Sequence, residues 1–179
     1  NISESVSHCS NCRWCKEHKS NCFKDSHGLD EFEGLVKGSD AVIFCSPTYY
    51  GGITSQLSAF LTRMFYSNPK ILEFKPVAYV ITSRRAGSTS AYSQLNLFFT
   101  MHSCFVVGSQ YWNELHGDTF DEVEYDIEGL QTMRTLANNV TAICDSICKS
   151  FVPPKNEHKL HTNFISRELL KVKANMEEK

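Results

Sequence analysis

The sequence lacks an excess of charge of either sign: 18 Lys and Arg stand against 20 Asp and Glu, a formal net charge of −2. That balance gives no basic surface of the kind that binds nucleic acid or anionic membranes. It also lacks any apolar run near the ~18 residues a membrane span needs. The opening stretch, Asn1-Ile-Ser-Glu-Ser-Val-Ser-His8, has no apolar core of a secretion signal. The expectation is therefore an intracellular, cytoplasmic protein with neither a nucleic-acid nor a membrane partner. What the sequence does have is cysteine, eight in 179 residues. In a reducing compartment metal or redox use is a better reading of eight cysteines than a disulfide framework. With 41% hydrophobic and 21% charged residues the chain can bury an ordinary core.

Apolar runs and helical patterns alternate along the chain. Ala41-Val-Ile-Phe-Cys45 reads as a strand buried on both faces. It is followed by the turn-rich Ser46-Pro-Thr-Tyr-Tyr-Gly-Gly52 and then by a helix bearing Ile53, Leu57, Phe60, Leu61, Met64 and Phe65, with Thr54 or Ser55 as its N-cap. Val77–Ile81 is a second buried strand, followed by the loop from Thr82 to Ser88 and a helix carrying Tyr92, Leu95, Phe98 and Phe99. Cys104–Val107 is a third strand, residues 108–125 read as a long loop, and the longest helix spans about Ile127 to Lys149. A short helix from Leu29 to Lys37 precedes the whole series. Pro153-Pro154 closes a domain of residues 1–152, and 153–179 read as a tail helix with Ile165, Leu169, Val172 and Met176 at helical spacing.

Strand, loop and helix in threefold succession predict an α/β fold, a doubly wound parallel sheet with helices on both faces. Ligands of such sheets bind beyond the carboxyl ends of the strands. The loops that begin at Ser46, Thr82 and Gly108 all leave from that edge and are expected to converge. The first brings small residues and two aromatic rings: Ser46, Pro47, Thr48, Tyr49, Tyr50, Gly51 and Gly52. The second brings Thr82, Arg84, Arg85 and Gly87, and the third Tyr111, Trp112, Asn113 and His116. Backbone N–H groups, stacking rings and a cation could hold a flavin and tune it. Taken singly, the first loop reads more readily as an ordinary strand-to-helix turn, and the others read equally as a solvated arginine pair and a core or interface tryptophan; three such loops at one edge of one sheet shift the balance to a binding site.

The N-terminal segment 8–25 carries Cys9-x2-Cys12-x2-Cys15-x6-Cys22 amid His8, Arg13, Lys16, His18, Lys19 and Lys24. The first three cysteines match the start of a ferredoxin-type run. Four thiolates in one short loop suit a [4Fe-4S] cluster; they also suit a structural zinc site, or stand as free redox-active thiols. Cys45, Cys104, Cys144 and Cys148 read as small buried apolar residues.

The stretch SDAVIFCSPTYYGGITSQLSAFLTR resembles the NADPH-dependent FMN reductase and iron–sulfur flavoprotein families of the flavodoxin-like superfamily. KPVAYVITSRRAGSTSAYSQLNLFF and VVGSQYWNELHGDTFDEVEYDIEGLQTMRTLANNV extend the likeness over most of residues 9–150. The resemblance implies FMN as cofactor, with Ser46–Gly52 lining the isoalloxazine ring and Thr82–Gly87 touching it from the next strand. It also implies a [4Fe-4S] site at the four cysteines, an electron donor or acceptor such as NAD(P)H or ferredoxin, and a homodimer or homotetramer. The family pattern begins with a strand and a phosphate loop that have no match here, so no residue is assigned to the FMN phosphate. The expected activity is an FMN-dependent oxidoreductase exchanging electrons with the cluster. The rivals are an NAD(P)H-dependent FMN or quinone reductase with structural cysteines, and a non-catalytic zinc-stabilised interaction module on a flavodoxin scaffold.

Overall fold

The computed structural model describes residues 6–24, 28–155 and 157. Among these, two short helices, α1 (Trp14–His18) and α2 (Leu29–Lys37), precede β1 (Val42–Pro47), α3 (Ser55–Ser67), β2 (Pro76–Ser83) and α4 (Ser88–Thr100). Then follow β3 (Phe105–Val106), β4 (Glu114–His116), α5 (Phe120–Val123) and α6 (Ile127–Ser150). All strand pairs are parallel, with Val42 opposite Val77 and Pro47 opposite Thr82 along β1 and β2.

The strand β2 is the centre of the sheet, and its sequence explains why. Pro76–Ile81 are buried throughout, as an apolar run covered by helices on both sides must be. Val77, Tyr79 and Ile81 face a core built with Phe44 and with Leu57, Leu61, Leu95 and Phe99 of α3 and α4. Ala78 and Val80 face the other way, onto Leu136 of α6. The helix ends are set locally: Thr54 accepts a bond from Leu57 N–H at 3.2 Å to start α3, and Asp126 accepts one from Gly129 N–H at 2.9 Å to start α6.

Three sequence expectations need correction. The first concerns β1, which alternates rather than being buried on both faces: Phe44 and Ser46 are buried, whereas Ile43 is 53% exposed and Cys45 is exposed. Among the described residues its far edge pairs with no strand, and α6 covers only the part of the sheet built from β2 onward. A groove of about 550 Å³ runs there, lined by Phe32, Leu35, Ile43 and Cys45 among others. Cys45 is thus a groove residue, not a core one. Second, the third strand is only two residues long, and the expected loop 108–125 contains β4 and α5. After Val107 the chain swings out and returns to β2 at Glu114, so that β3 and β4 fill one side of β2 in succession. Buried Asn113 pins the excursion, its Nδ2 donating to the Val107 carbonyl at 3.4 Å and its own carbonyl accepting from Ile81 N–H at 3.0 Å. Third, the cysteine-rich segment is not all loop, because Cys15 sits in α1.

The tail helix expected over 153–179 lies outside the described residues except for 153–155 and 157, which are not helical. The side chain of Cys148 also lies outside them.

Candidate functional site

The three loops meet at the carboxyl edge of the sheet. Thr48 N–H donates to the Thr82 carbonyl at 2.8 Å, continuing the β1–β2 ladder into both loops. Beyond it, Tyr49 and Gly52 exchange two backbone bonds of 2.9 and 3.0 Å around Tyr50 and Gly51. Both central residues have positive φ, +51° and +75°, as a type I′ turn demands. Asparagine is the usual first residue there; a tyrosine in that conformation is a strained choice. The turn leaves Tyr49 61% exposed and Tyr50 fully so. Ser46, buried, closes the base: its Oγ donates to the Pro47 carbonyl and accepts from Thr54 N–H.

Gly87 brings the second loop against the first. Its φ is +92°, and a β-carbon there would lie 3.1 Å from Gly51 Cα and 3.3 Å from Thr48 Cγ2. Arg84 and Arg85 project from this loop into solvent. The third loop joins through β4: Gly117 N–H donates to the Ser83 carbonyl at 3.1 Å, and Ser88 Oγ donates to Glu114 Oε2 at 2.8 Å. Tyr111 and Trp112 lie at this edge with ring centroids 5.2 Å apart, both about half exposed. The structure thus joins Thr48, Gly51, Thr82 and Gly87 directly, while Trp112 touches Tyr111. His116 points toward α6, with Nδ1 3.6 Å from Asp126 Oδ2.

Four buried polar atoms at the edge have no hydrogen-bond partner among the described residues: Thr48 Oγ1, Ser83 Oγ, Asn113 Oδ1 and Glu114 Oε1. Each such group costs about 1–3 kcal/mol if left unmet. A flat polar ring laid on closely packed glycine backbone fits this arrangement. Ser83 and Glu114 escaped the sequence reading. A carboxylate is a poor guess for a buried position, and Glu-Leu-His is too short a strand to show alternation.

The four cysteines form a second centre. Cys9, Cys12, Cys15 and Cys22 all line one pocket with His8, Arg13, Lys24, Arg63 and Tyr66. None is in a disulfide. The enclosed space is about 20 Å³, and among the described residues no three His, Cys, Asp or Glu side chains close on a single metal ion. What the structure gathers is the donor chemistry: four thiols in a cationic setting, as an anionic thiolate centre needs. The helix α3 holds this segment in place. Tyr66 Oη donates to Asn11 Oδ1 at 2.9 Å, Lys16 Nζ stands 4.8 Å from the Tyr66 ring centroid, and buried Arg63 reaches Ser7 Oγ at 3.5 Å. The first loop leads into the N-terminus of α3 and the cysteine pocket packs nine residues further along, about 14 Å at 1.5 Å per residue. Arg63 was missed because it lies in the middle of an otherwise apolar stripe.

The profile of the NADPH-dependent FMN reductase family matches residues 5–117. The chain belongs to that family. Two curated relatives are iron-sulfur flavoproteins of Methanocaldococcus jannaschii. One is 30% identical over 152 residues, covering 79% of this chain and 76% of the relative, and the other 27% identical over 145 residues, covering 74% and 73%. Among solved structures, RosB with a bound riboflavin-phosphate intermediate superposes at TM-score 0.62 and 12% identity, over 98% of this chain and 69% of that one. An oxidoreductase from Corynebacterium diphtheriae gives 0.52 at 16% identity, and this chain spans 69% of its own length and 63% of that structure. These likenesses establish the flavodoxin-like α/β fold of the FMN reductase family. No helix among the described residues is long and apolar enough to cross a membrane.

Proposed function

We propose that the protein is an FMN-dependent oxidoreductase that exchanges electrons between FMN and a [4Fe-4S] cluster held by Cys9, Cys12, Cys15 and Cys22. The observation that carries this reading is the gathering of all four cysteines on one pocket, packed against the same helix that the ring-side loop leads into. When bound, FMN supplies two-electron chemistry and the cluster one-electron chemistry, which couples hydride donors such as NAD(P)H to carriers such as ferredoxin. The chain's own residues provide the setting. Ser46, Pro47, Thr48, Gly51, Gly52 and Gly87 offer backbone against the ring. Thr48 and Ser83 offer hydroxyls to its polar edge, Tyr49, Tyr50 and Trp112 can cover its faces, and Thr82, Arg84 and Arg85 favour negative charge on it. No side chain is given an acid or base role. The reading extends to a homodimer or homotetramer, in which a neighbouring chain can bring a cysteine pocket closer to a flavin loop than α3 does.

The family's own description, an NADPH-dependent FMN reductase, favours a second reading in which the cysteines are structural. The experiment that separates the two is anaerobic purification of the full-length protein with flavin, iron, sulfide and zinc measured together. The cluster reading expects about four irons per chain, lost in Cys12→Ala with α6 still folded. Zinc without iron supports the second reading. Tyr49→Ala is expected to lower flavin retention severalfold; unchanged occupancy would remove Tyr49 from the site.

A further inference from the structure

The polar layer under the ring-side loops holds a carboxylate where a carboxylate is rare. Glu114 is 8% exposed, and glutamate is almost never this buried unless it is paired. Its Oε2 accepts from Ser88 Oγ at 2.8 Å, and its buried Oε1 has no hydrogen-bond partner among the described residues. The register explains where the side chain points. Glu114 stands opposite Ile81 in the β2–β4 ladder, and Ile81 faces the core under α3 and α4. Glu114 therefore reaches the start of α4, a helix of 13 residues whose N-cap is Gly87 and whose first residue is Ser88. The positive end of a helix favours negative charge, which accounts for a carboxylate being tolerated there. A β-carbon on Gly87 would stand 3.1 Å from Gly51 Cα. The residue that bonds the carboxylate is thus next in the chain to the point where the two ring-side loops touch. The charge of Glu114 also reaches Tyr92: burial first, and that charge in addition, push the Tyr92 hydroxyl up against the effect of a hydrogen bond with Tyr79.

We infer that Glu114 is a buried anion beneath the flavin site that disfavours negative charge on the ring and so keeps the bound flavin hard to reduce. The inference rests on the flavin reading given above and not on the cluster. Hydride transfer oxidises a nicotinamide donor, forms one bond from hydrogen to the flavin and leaves the ring with one added negative charge. A like charge fixed nearby opposes that gain, and opposes it more in a low-dielectric interior than in water. Glu114 also offsets the positive end of α4, which would otherwise favour a negative ring. Arg84 and Arg85 act in the opposite sense, but they are exposed and are screened by salt within about 10 Å. Glu114 is not. A flavin kept hard to reduce is, once reduced, a stronger donor to whatever accepts its electrons.

The test is an anaerobic redox titration of the full-length protein with FMN bound, followed by the flavin absorbance, with flavin content and melting temperature measured alongside. Glu114→Gln keeps an acceptor for Ser88 and removes the charge. It is expected to favour reduction about tenfold, a midpoint about 30 mV more positive for a two-electron couple, with flavin content unchanged. Glu114→Asp, which keeps the charge, is expected to stay within about threefold of the parent. Glu124→Gln removes an exposed carboxylate just past α5 and is expected to give a smaller shift that disappears in high salt. A flavin-loaded Glu114→Gln with the parent's midpoint or a lower one overturns the inference, as does a variant that folds but retains no flavin. Should Glu114→Gln fail to fold, Glu114→Met decides, because it removes the charge and fills the space with an apolar chain. A positive shift there supports the inference; a parent-like midpoint, loss of flavin or a second failure to fold assigns Glu114 to holding the loops and overturns it. A parent protein that retains no FMN defeats the flavin reading itself, and the inference with it.

Discussion

Gly87 shows how much a single missing β-carbon can decide. It combines a left-handed φ of +92° with backbone of the first loop 3.1 Å from where that carbon would stand. Gly87→Ala should cost about 1–2 kcal/mol in backbone strain and push the two loops apart, lowering stability to urea and flavin retention together. Asp126 makes a prediction of opposite character. Burial alone would raise its carboxyl, but the N–H groups of Gly129 and His116 and the nearby imidazole outweigh that and hold it below the ordinary carboxylate value. A lowered folded-state value means the contribution is complete above the unfolded value, near 3.9, and is lost as pH falls through the folded one. Asp126→Ala should therefore cost about 0.5–2 kcal/mol at neutral pH through the lost cap. The gap from the parent should close in urea titrations below about pH 4. Burial pushes the Cys104 thiol up to about 12, which suits an inert packing residue. Cys45, on the groove side, is raised for the same reason.

At the scale of elements, most of the fold could be read from the sequence. The structure places α2, β1, α3, β2, α4 and α6 within a few residues of where periodicity put them, because each is long enough for its period to show. Phe99 illustrates the reward: fully buried, it meets Phe44 at 4.9 Å and Tyr79 at 5.5 Å between ring centroids. Phe99→Ala should cost about 3–5 kcal/mol by chemical denaturation, with an unchanged denaturant slope. What the sequence left unread is either a short element or a single charge turned inward. Glu114 in β4 and Arg63 in α3 are both buried, against the ordinary rule for charged side chains. Both lie at the candidate sites, where local rules are expected to fail. The first apolar run, Ala41–Cys45, read as buried on both faces, has one face on a groove rather than on a helix. Nothing in its composition distinguishes that from a core.

At the scale of the whole molecule, the two candidate centres are tied to one rod. The ring-side loop runs directly into α3 at Thr54, and the cysteine segment leans on Arg63 and Tyr66 of the same helix. Each residue added to an α-helix advances it about 1.5 Å and turns it about 100°. A single insertion between Thr54 and Arg63 would hardly lengthen the connection, yet would swing the guanidinium a quarter-turn away from the thiols and into another neighbour. Such an insertion is expected to abolish iron uptake, as measured by metal analysis, where a substitution of an exposed residue such as Thr62 would not. The helix behaves like a shaft with a keyway, sensitive to phase more than to length. Descendants of this chain are free to vary the outward face of α3, but can change its length only by about seven or eleven residues at a time if both ends are to stay in register.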